Sequence, residues 1–510
     1  MTVSPKATRR DWIGLAVIAL PCLLYSMDLT VMNLAVPHLS AELKPTGAQL
    51  LWIVDIYGFM IAGSLITMGT LGDRIGRRRL LLMGAAAFGA ASVLAAFSTS
   101  AEMLIATRAL LGVAGATLAP STLSLIRNMF LDAGERTVAI GVWITSYSVG
   151  GAIGPLVGGV LLEHFWWGSV FLVSVPVMVL LLVLGPMLLP EYRDPGAGRL
   201  DLLSAAQSLA AVLAVIYGLK RIAEGGLSWL AAGCIVAGLV IGMAFLRRQR
   251  TLASPLIDLA LFRVPAFSAA LAINTFCFFG AFGAFLFIAQ YLQLVIGLSP
   301  LEAGLWSVPS ALGFVVGSML APVMARRIRA GLAVTGGLAL AFVGFGVLTQ
   351  VGGASGLATL VAGSVIFSLG LAPVVTLGTD LIVGSAPPER AGAAAAISET
   401  SSEFGGALGI AVLGSVVTAV YRHAMEDSVL GGVPAAAAQA ARSTLGGAVA
   451  VAAELPGASG AALLDTSRDA YAQAFQVTAG ISAALVLGTA VLAAFMLRQA
   501  GAGPAAGSVH

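Results

Sequence analysis

The sequence predicts an all-α polytopic membrane protein with 14 transmembrane helices, and three observations carry that prediction. The first is composition: of 510 residues, 58% are hydrophobic and 10% charged, at a mean hydropathy of +0.97, whereas soluble domains carry about a quarter charged residues. The second is run length. The apolar stretches are long and unbroken, suited to helices of ~20 residues and unlike the ~10-residue alternation of barrel strands. Fourteen such spans use roughly 300 residues and leave about 200 for ends and loops, which excludes a single anchor. The third is the placement of basic residues. With the N-terminus inside, 20 of the 27 Lys and Arg fall in cytoplasmic segments and 6 outside, with Arg108 within a span. Short basic loops are retained in the cytoplasm, so both termini are expected there.

Cutting the apolar runs at charged and turn-rich stretches places the spans in order. Span 1, 13–36, follows Arg9 and Arg10; it contains Asp28 and lacks a small-residue cleavage site, so it reads as an uncleaved helix rather than a leader. Spans 2 to 6 fall at 50–70, 80–98, 103–127, 137–161 and 167–189, completing an N-terminal six-helix half over 13–189. Spans 7 and 8, at 201–219 and 229–246, read with a basic linker as an insertion over 190–265. That linker, residues 247–266, is partly amphipathic and is expected along the cytoplasmic face. Spans 9 to 14, at 267–292, 302–325, 331–350, 357–384, 391–420 and 472–497, form a C-terminal half over 266–498. Before the last span lies an Ala- and Gly-rich outside loop, 421–471, with helix-like stretches at 434–453 and 459–475; it reads either as a helical hairpin or lid or as a solvated linker. Gly69 to Arg79 after span 2 and Gly317 to Arg327 at the end of span 10 form a weak repeat, consistent with two six-helix halves around a mid-membrane site.

Several functions are excluded or disfavoured. The net charge of +3 reflects loop topology and implies no nucleic acid. Cys22, Cys234 and Cys277 lie in apolar runs without metal-like spacing, so no disulfide, metal or cofactor is expected. His38, His164, His423 and His510 sit at span ends, loops or the tail, and there is no catalytic motif or phosphate-binding loop. Energy is therefore expected from an ion gradient.

An ionisable residue inside a span is costly and points to function. Asp28 lies ~22 Å along span 1 and Asp55 ~8 Å into span 2, both in the outer half; Arg108 lies ~8 Å into span 4. A carboxylate there can be switched by what binds beside it, so the trio suits proton coupling; a static ion pair is the other reading. Glu399 and Glu403 share one face of span 13, four residues apart. They can attract a cation or hold protons as a coupled pair, or merely bond to neighbouring helices. Asp380 reads as an interfacial carboxylate. Aromatic rings suit a cation site, and Trp52, Tyr57, Trp143, Phe279, Phe282 and Phe285 are candidates beside the packing role most such rings have. Gly150, Gly154, Gly158 and Gly159 give span 5 a small-residue face and Pro155 a kink.

Two of these stretches carry a resemblance. Gly69-x-Leu71-x-Asp73-Arg74-x-Gly76-Arg77-Arg78 resembles the signature loop of the major facilitator superfamily, and Gly150 to Gly159 resembles the antiporter motif of its drug-exporting branches. Met27 to Pro37, Leu51 to Tyr57, Gln290 to Gln293 with Gly297 to Pro300, and Ser398 to Glu403 narrow the likeness to its fourteen-span drug:proton antiporters. The resemblance covers residues 10 to 498. It implies a monomeric exporter of lipophilic cations, such as quaternary ammonium compounds, dyes and antibiotics, driven by protons across a bacterial cytoplasmic membrane. Leu104-x-x-x-Arg108-x-x-x-Gly112 resembles the span-4 motif linked to proton transfer there. The span-5 face with Gly154, Pro155 and Gly158 can seal one side of a cavity, and the loop of Gly69, Asp73, Arg74, Gly76 and Arg77 can form charge contacts that hold one state; positive-inside topology alone is the other reading of the arginines. Phe314 stands where some relatives have an acid. Dedicated export of one metabolite or antibiotic and a non-transporting sensor are the alternatives.

Overall fold

Long apolar helices dominate because a chain in lipid must satisfy every backbone polar group internally. The structure, a computed structural model, describes residues 6–43, 45, 47–193, 201–225, 227–252, 255–352, 356–387, 390–426, 435–455 and 457–497. Among them are 14 helices long and apolar enough to cross a membrane, as the hydropathy runs predict. α1 (Arg9–Leu43), α2 (Gly47–Ile75) and α3 (Arg77–Ala96) are the first three spans. α4 (Ala101–Gly115) and α5 (Leu118–Met129) make the fourth, α6 (Ala133–His164) the fifth, and α7 (Ser169–Leu172) with α8 (Ser174–Leu188) the sixth. α9 (Leu202–Gly225) and α10 (Trp229–Gln249) follow, then α11 (Pro265–Gln290), α12 (Pro300–Arg327), α13 (Ala330–Leu348), α14 (Leu357–Ser385) and α15 (Ala391–Glu426). α16 (Ala435–Ser443) and α17 (Leu445–Glu454) are short, and α18 (Gly457–Met496) closes the bundle.

Local chemistry sets the breaks. Ser100 caps α4 by accepting from Met103 N–H at 3.1 Å, and Asp132 caps α6 by accepting from Glu135 N–H at 2.9 Å. Ser299 and Glu302 form a capping box at α12, with Pro300 at its first position. Pro120 has no N–H to offer the Ala116 carbonyl, which accounts for the interruption between α4 and α5. Gly76, at φ 113°, turns the chain from α2 into α3 in a conformation that disfavours a side chain.

Helices α1 to α8 pack on one another, as do α11 to α18. We call these the N-terminal and C-terminal sets. They meet mainly where α2 lies on α15 and α6 on α12. The end of the bundle where α1 begins carries Arg77, Arg78 and Arg79 and also Arg326, Arg327 and Arg329; we call it the basic end and the opposite one the far end. Helix α9 packs on α2, on α15 and on its hairpin partner α10. Leu230, Val236, Leu239, Val240 and Met243 of α10 are exposed, as lipid contact requires.

Two stretches add detail to the sequence reading. Among its described residues, the linker after α10 carries one 3-10 turn, at Leu261–Arg263. Leu256, Ile257 and Leu261 are buried against Ile66 of α2, Ile382 of α14 and Ala394 and Ile397 of α15. Residues 253 and 254 lie outside the described residues. The last helix starts at Gly457, so the helix-like stretch at 459–475 and the span at 472–497 are one continuous helix. Its polar first turns pack on protein rather than lipid: Arg468 Nε donates to Leu294 O at 3.2 Å and Tyr471 Oη to Gln290 Oε1 at 2.9 Å. The 421–471 stretch thus holds the end of α15, then α16, α17 and the start of α18; within it, 427–434 and 456 lie outside the described residues.

Candidate functional site

Arg108 is nearly the most deeply buried charge in the molecule, 1% exposed on α4. A guanidinium so placed needs partners for its donors. Its Nη1 reaches Asp28 Oδ2 at 3.4 Å, Nε donates to Ile53 O at 2.5 Å, and Nη2 to Val54 O at 3.4 Å. Its Cζ also lies over the rings of Tyr57, at 5.3 Å, and Phe171, at 5.9 Å. Gly112 makes this approach possible, since a Cβ there would stand 2.5 Å from Tyr57 O. Asp55 is on the same turn of α2, immediately after the two carbonyls that hold Arg108. Of the predicted trio, Asp28 and Arg108 are brought together as an ion pair, while α2 meets the guanidinium through the carbonyls of Ile53 and Val54.

The second cluster faces the first across Tyr57. Glu399 and Glu403 stand one turn apart on α15, which is fastened to α11 on another face through Asn274 Nδ2 to Ser402 Oγ at 3.3 Å and through Thr275 to Ser401. Tyr25 of α1 donates to Glu403 Oε1 at 3.4 Å, crossing from one set to the other. Its ring lies 6.2 Å from that of Tyr57 and 5.4 Å, edge-on, from that of Tyr147, which in turn lies 4.8 Å from Trp143. Trp143 Nε1 donates to Thr122 Oγ1 at 2.9 Å, and Cys22 Sγ is 3.6 Å from the same hydroxyl. Four rings of the N-terminal set thus form a wall opposite two carboxylates of the C-terminal set. Tyr25 and Tyr147 were not singled out from the sequence; a tyrosine three residues before Asp28 on a spanning helix was the available signal.

Other candidates stand apart from this wall. Trp52 is 41% exposed and stacks on Tyr217 of α9, with interplanar angle 10° and centroids 6.3 Å apart. Phe282 lies against Gly406 and Phe285 against Phe367, both rings partly exposed. Phe279 and Phe314 are half-buried packing residues. On α6, Gly150 meets the Leu23 backbone and Gly158 the Val31 side chain, so the small-residue face seats α6 on α1. Gly154 is buried. The helix runs on through Pro155, whose side chain lies outside the described residues.

At the basic end, Asp73 and Arg77 are both buried and paired, and Arg77 Nη1 donates to Gly69 O at 2.7 Å. The Ala393 N–H of α15 donates to Asp73 Oδ2 at 3.1 Å, and a Cβ at Gly392 would collide with the Arg77 guanidinium. Gly69 likewise lies so close to Gly392 and Ala396 that a side chain would overlap them. Arg74 is half-buried at the end of α2. Glu191 accepts from the N–H groups of Arg78 and Arg79, at 3.1 and 3.2 Å, where the start of α3 favours negative charge. A second contact was missed: Arg136 Nε of α6 donates to Asp380 Oδ1 of α14 at 2.6 Å, and Thr137 Oγ1 to Oδ2 at 2.8 Å. Asp380 therefore joins the sets rather than merely facing solvent.

Buried charges between two helical sets, inside a shell of lipid-facing helices, define a membrane transporter. The chain belongs to the Major Facilitator Superfamily, whose profile matches residues 18–410. It is a multi-pass membrane transporter and not an enzyme. It is 44% identical to the multidrug efflux pump LfrA of Mycolicibacterium smegmatis, over 97% of this chain and 99% of that protein. It is 36% identical to the methyl viologen resistance protein SmvA of Salmonella typhimurium, over 96% and 99%. To the tetracenomycin C resistance and export protein of Streptomyces glaucescens it is 31% identical, over 95% and 91%. The human organic anion transporter MFSD10 shares the fold, with TM-score 0.60 at 16% identity, over 93% of this chain and 99% of that one.

Proposed function

We propose that this protein exports lipophilic cations across a bacterial cytoplasmic membrane in exchange for protons, as a monomer with both termini in the cytoplasm. The observation that carries the reading is the pairing of an aromatic wall, Tyr25, Tyr57, Tyr147 and Trp143, with Glu399 and Glu403 opposite it. Ring faces and carboxylates both attract a soft cation, and neither demands one shape. The printed name of LfrA supports export of several drugs, and that of SmvA names an organic cation, methyl viologen. Protons act through Asp28. While ionised it satisfies Arg108; once protonated it leaves that guanidinium on two carbonyls and two rings, and the local balance of α1 against α4 changes. Contacts of Asp73, Arg77, Arg136 and Asp380 hold the cytoplasmic end shut while the far end releases substrate. The gradient supplies about 2.3 kcal/mol per charge per 100 mV.

Dye efflux from cells tests this. Ethidium export is expected to stop on adding a protonophore and in Asp28→Asn, and export by the wild type that ignores the protonophore would sink proton coupling. The printed name of the Streptomyces glaucescens relative favours a second reading, dedicated export of one compound; resistance to a single antibiotic with no cation exported would select it.

A further inference from the structure

Tyr25 touches Glu403 directly and reaches the Arg108 cluster through Tyr57, without carrying charge itself. It is 4% exposed and sits three residues before Asp28 on α1. Its hydroxyl reaches Glu403 Oε1 at 3.4 Å. Its ring packs against Tyr57, and Tyr57 in turn receives Arg108 on its face at 5.3 Å. A path of touching groups therefore runs from Asp28 through Arg108, Tyr57 and Tyr25 to Glu403. Groups near enough to influence Tyr25 electrostatically are Glu403 and Glu399 on α15, Tyr57 on α2 and Tyr147 on α6; Asp28, Arg108 and Glu403 act on Tyr57, and Cys22 and Glu399 on Tyr147. On α11, Asn274 and Thr275 face Ser402 and Ser401 rather than the carboxylates' far side.

The length of the Tyr25 bond matters. Hydrogen bonds between oxygens lie near 2.5 to 3.0 Å when strong, so a contact of 3.4 Å is weak and readily exchanged. A full positive charge placed between Glu399 and Glu403 outcompetes a phenol for the same oxygen. We propose that Tyr25 is a positioning residue with two alternating duties. Its hydroxyl holds Glu403 toward the N-terminal set when the carboxylate is unoccupied, and its ring walls the cation once the cation has taken the carboxylate over. The exchange sets substrate affinity against reset: the hydroxyl competes with the cation, and the same bond returns the C-terminal set to the empty arrangement.

This rests on the cation-export reading, and one experiment separates the two. Ethidium binding to the purified full chain in lipid nanodiscs is measured by fluorescence for the wild type, Tyr25→Phe, Glu403→Gln and the double variant, alongside export rates in proteoliposomes. Tyr25→Phe keeps the ring and removes only the competitor. It is expected to bind ethidium about three- to tenfold more tightly, the size of one ordinary hydrogen bond and below that of a short bond to a carboxylate, while its maximal export rate falls. In the Glu403→Gln background, Tyr25→Phe is expected to change affinity less than twofold. Wild-type binding with Tyr25→Phe equally tight or weaker, or a Tyr25→Phe effect of full size without Glu403, overturns the inference and leaves the export reading standing. A wild type that binds no ethidium overturns the export reading and the inference with it. Because phenylalanine preserves the contacts with Tyr57 and Tyr147, a packing role predicts no change in affinity and no split between affinity and rate.

Discussion

Two of the contacts that join the helical sets toward the basic end use opposite constructions. At the α2/α15 seam the charges pair within one set, Asp73 with Arg77 four residues on, and reach the other set through backbone: the Ala393 N–H and the bare Cα of Gly392. At the α6/α14 contact the charges pair between sets, Arg136 with Asp380, 244 residues apart in sequence, and side chain meets side chain. The first depends on the absence of a side chain, the second on the presence of two. Steric contacts fail abruptly when filled, whereas a partly solvated ion pair weakens by degrees, so the two seams respond differently to substitution.

The largest effect is expected at Gly392. A leucine there cannot coexist with the Arg77 guanidinium, which is fully buried and has little room to withdraw. Overpacking of this kind costs about 1 to 3 kcal/mol, enough to shift the balance between closed and open basic ends by roughly 5- to 150-fold. Gly392→Leu is expected to abolish export while the protein still inserts. Gly336→Leu, where a Cβ meets nothing within 4 Å, serves as the control and is expected to export normally. Export by Gly392→Leu at wild-type rates would show that the glycine contact does not bear on the cycle.

This contrast also explains what could be read from the sequence. The spans were legible because hydropathy reports which stretches lipid requires to be helical, and Asp73 was legible because its partner lies one turn away on the same loop. Glu399 and Glu403 were legible as costly charges within a span. Asp380 was not, since its partner comes from the other set and nothing local marks the pairing; near a span end a carboxylate reads as ordinary. Tyr25 was missed for the same reason, its hydroxyl bonding 378 positions away. The burial of linker residues Leu256 and Ile257 was not legible, because the residues that cover them come from α2, α14 and α15 and nothing local marks the contact.

A smaller effect is expected at the ion pair. Arg136 and Asp380 keep 13% and 15% of their side-chain surface exposed, so solvent softens the loss of either. Asp380→Asn leaves Arg136 partly uncompensated, and breaking such a pair costs about 3 to 5 kcal/mol if fully buried and less here. Export is expected to fall by about tenfold. The double replacement Arg136→Asp with Asp380→Arg is expected to recover most of it. No recovery, with both proteins equally abundant, would mean that Thr137 and not the charge of Arg136 is what Asp380 serves.

The smallest effect sharpens the comparison from within one set. Glu191 binds the first N–H groups of α3, and its side chain also lies 3.7 Å from Arg78, yet both are about one-third exposed and neither touches the C-terminal set. If joining the sets is what gives the basic-end charges their weight, Glu191→Gln removes a helix-end charge and little else, a matter of about 0.5 kcal/mol. Its export rate is expected to stay within twofold of the wild type, with a thermal midpoint lowered by a degree or two. A loss as large as that of Asp380→Asn would place the weight on the geometry of the α2 to α3 turn, where a Cβ at Gly76 would meet the Glu191 carboxylate, rather than on contact between the sets.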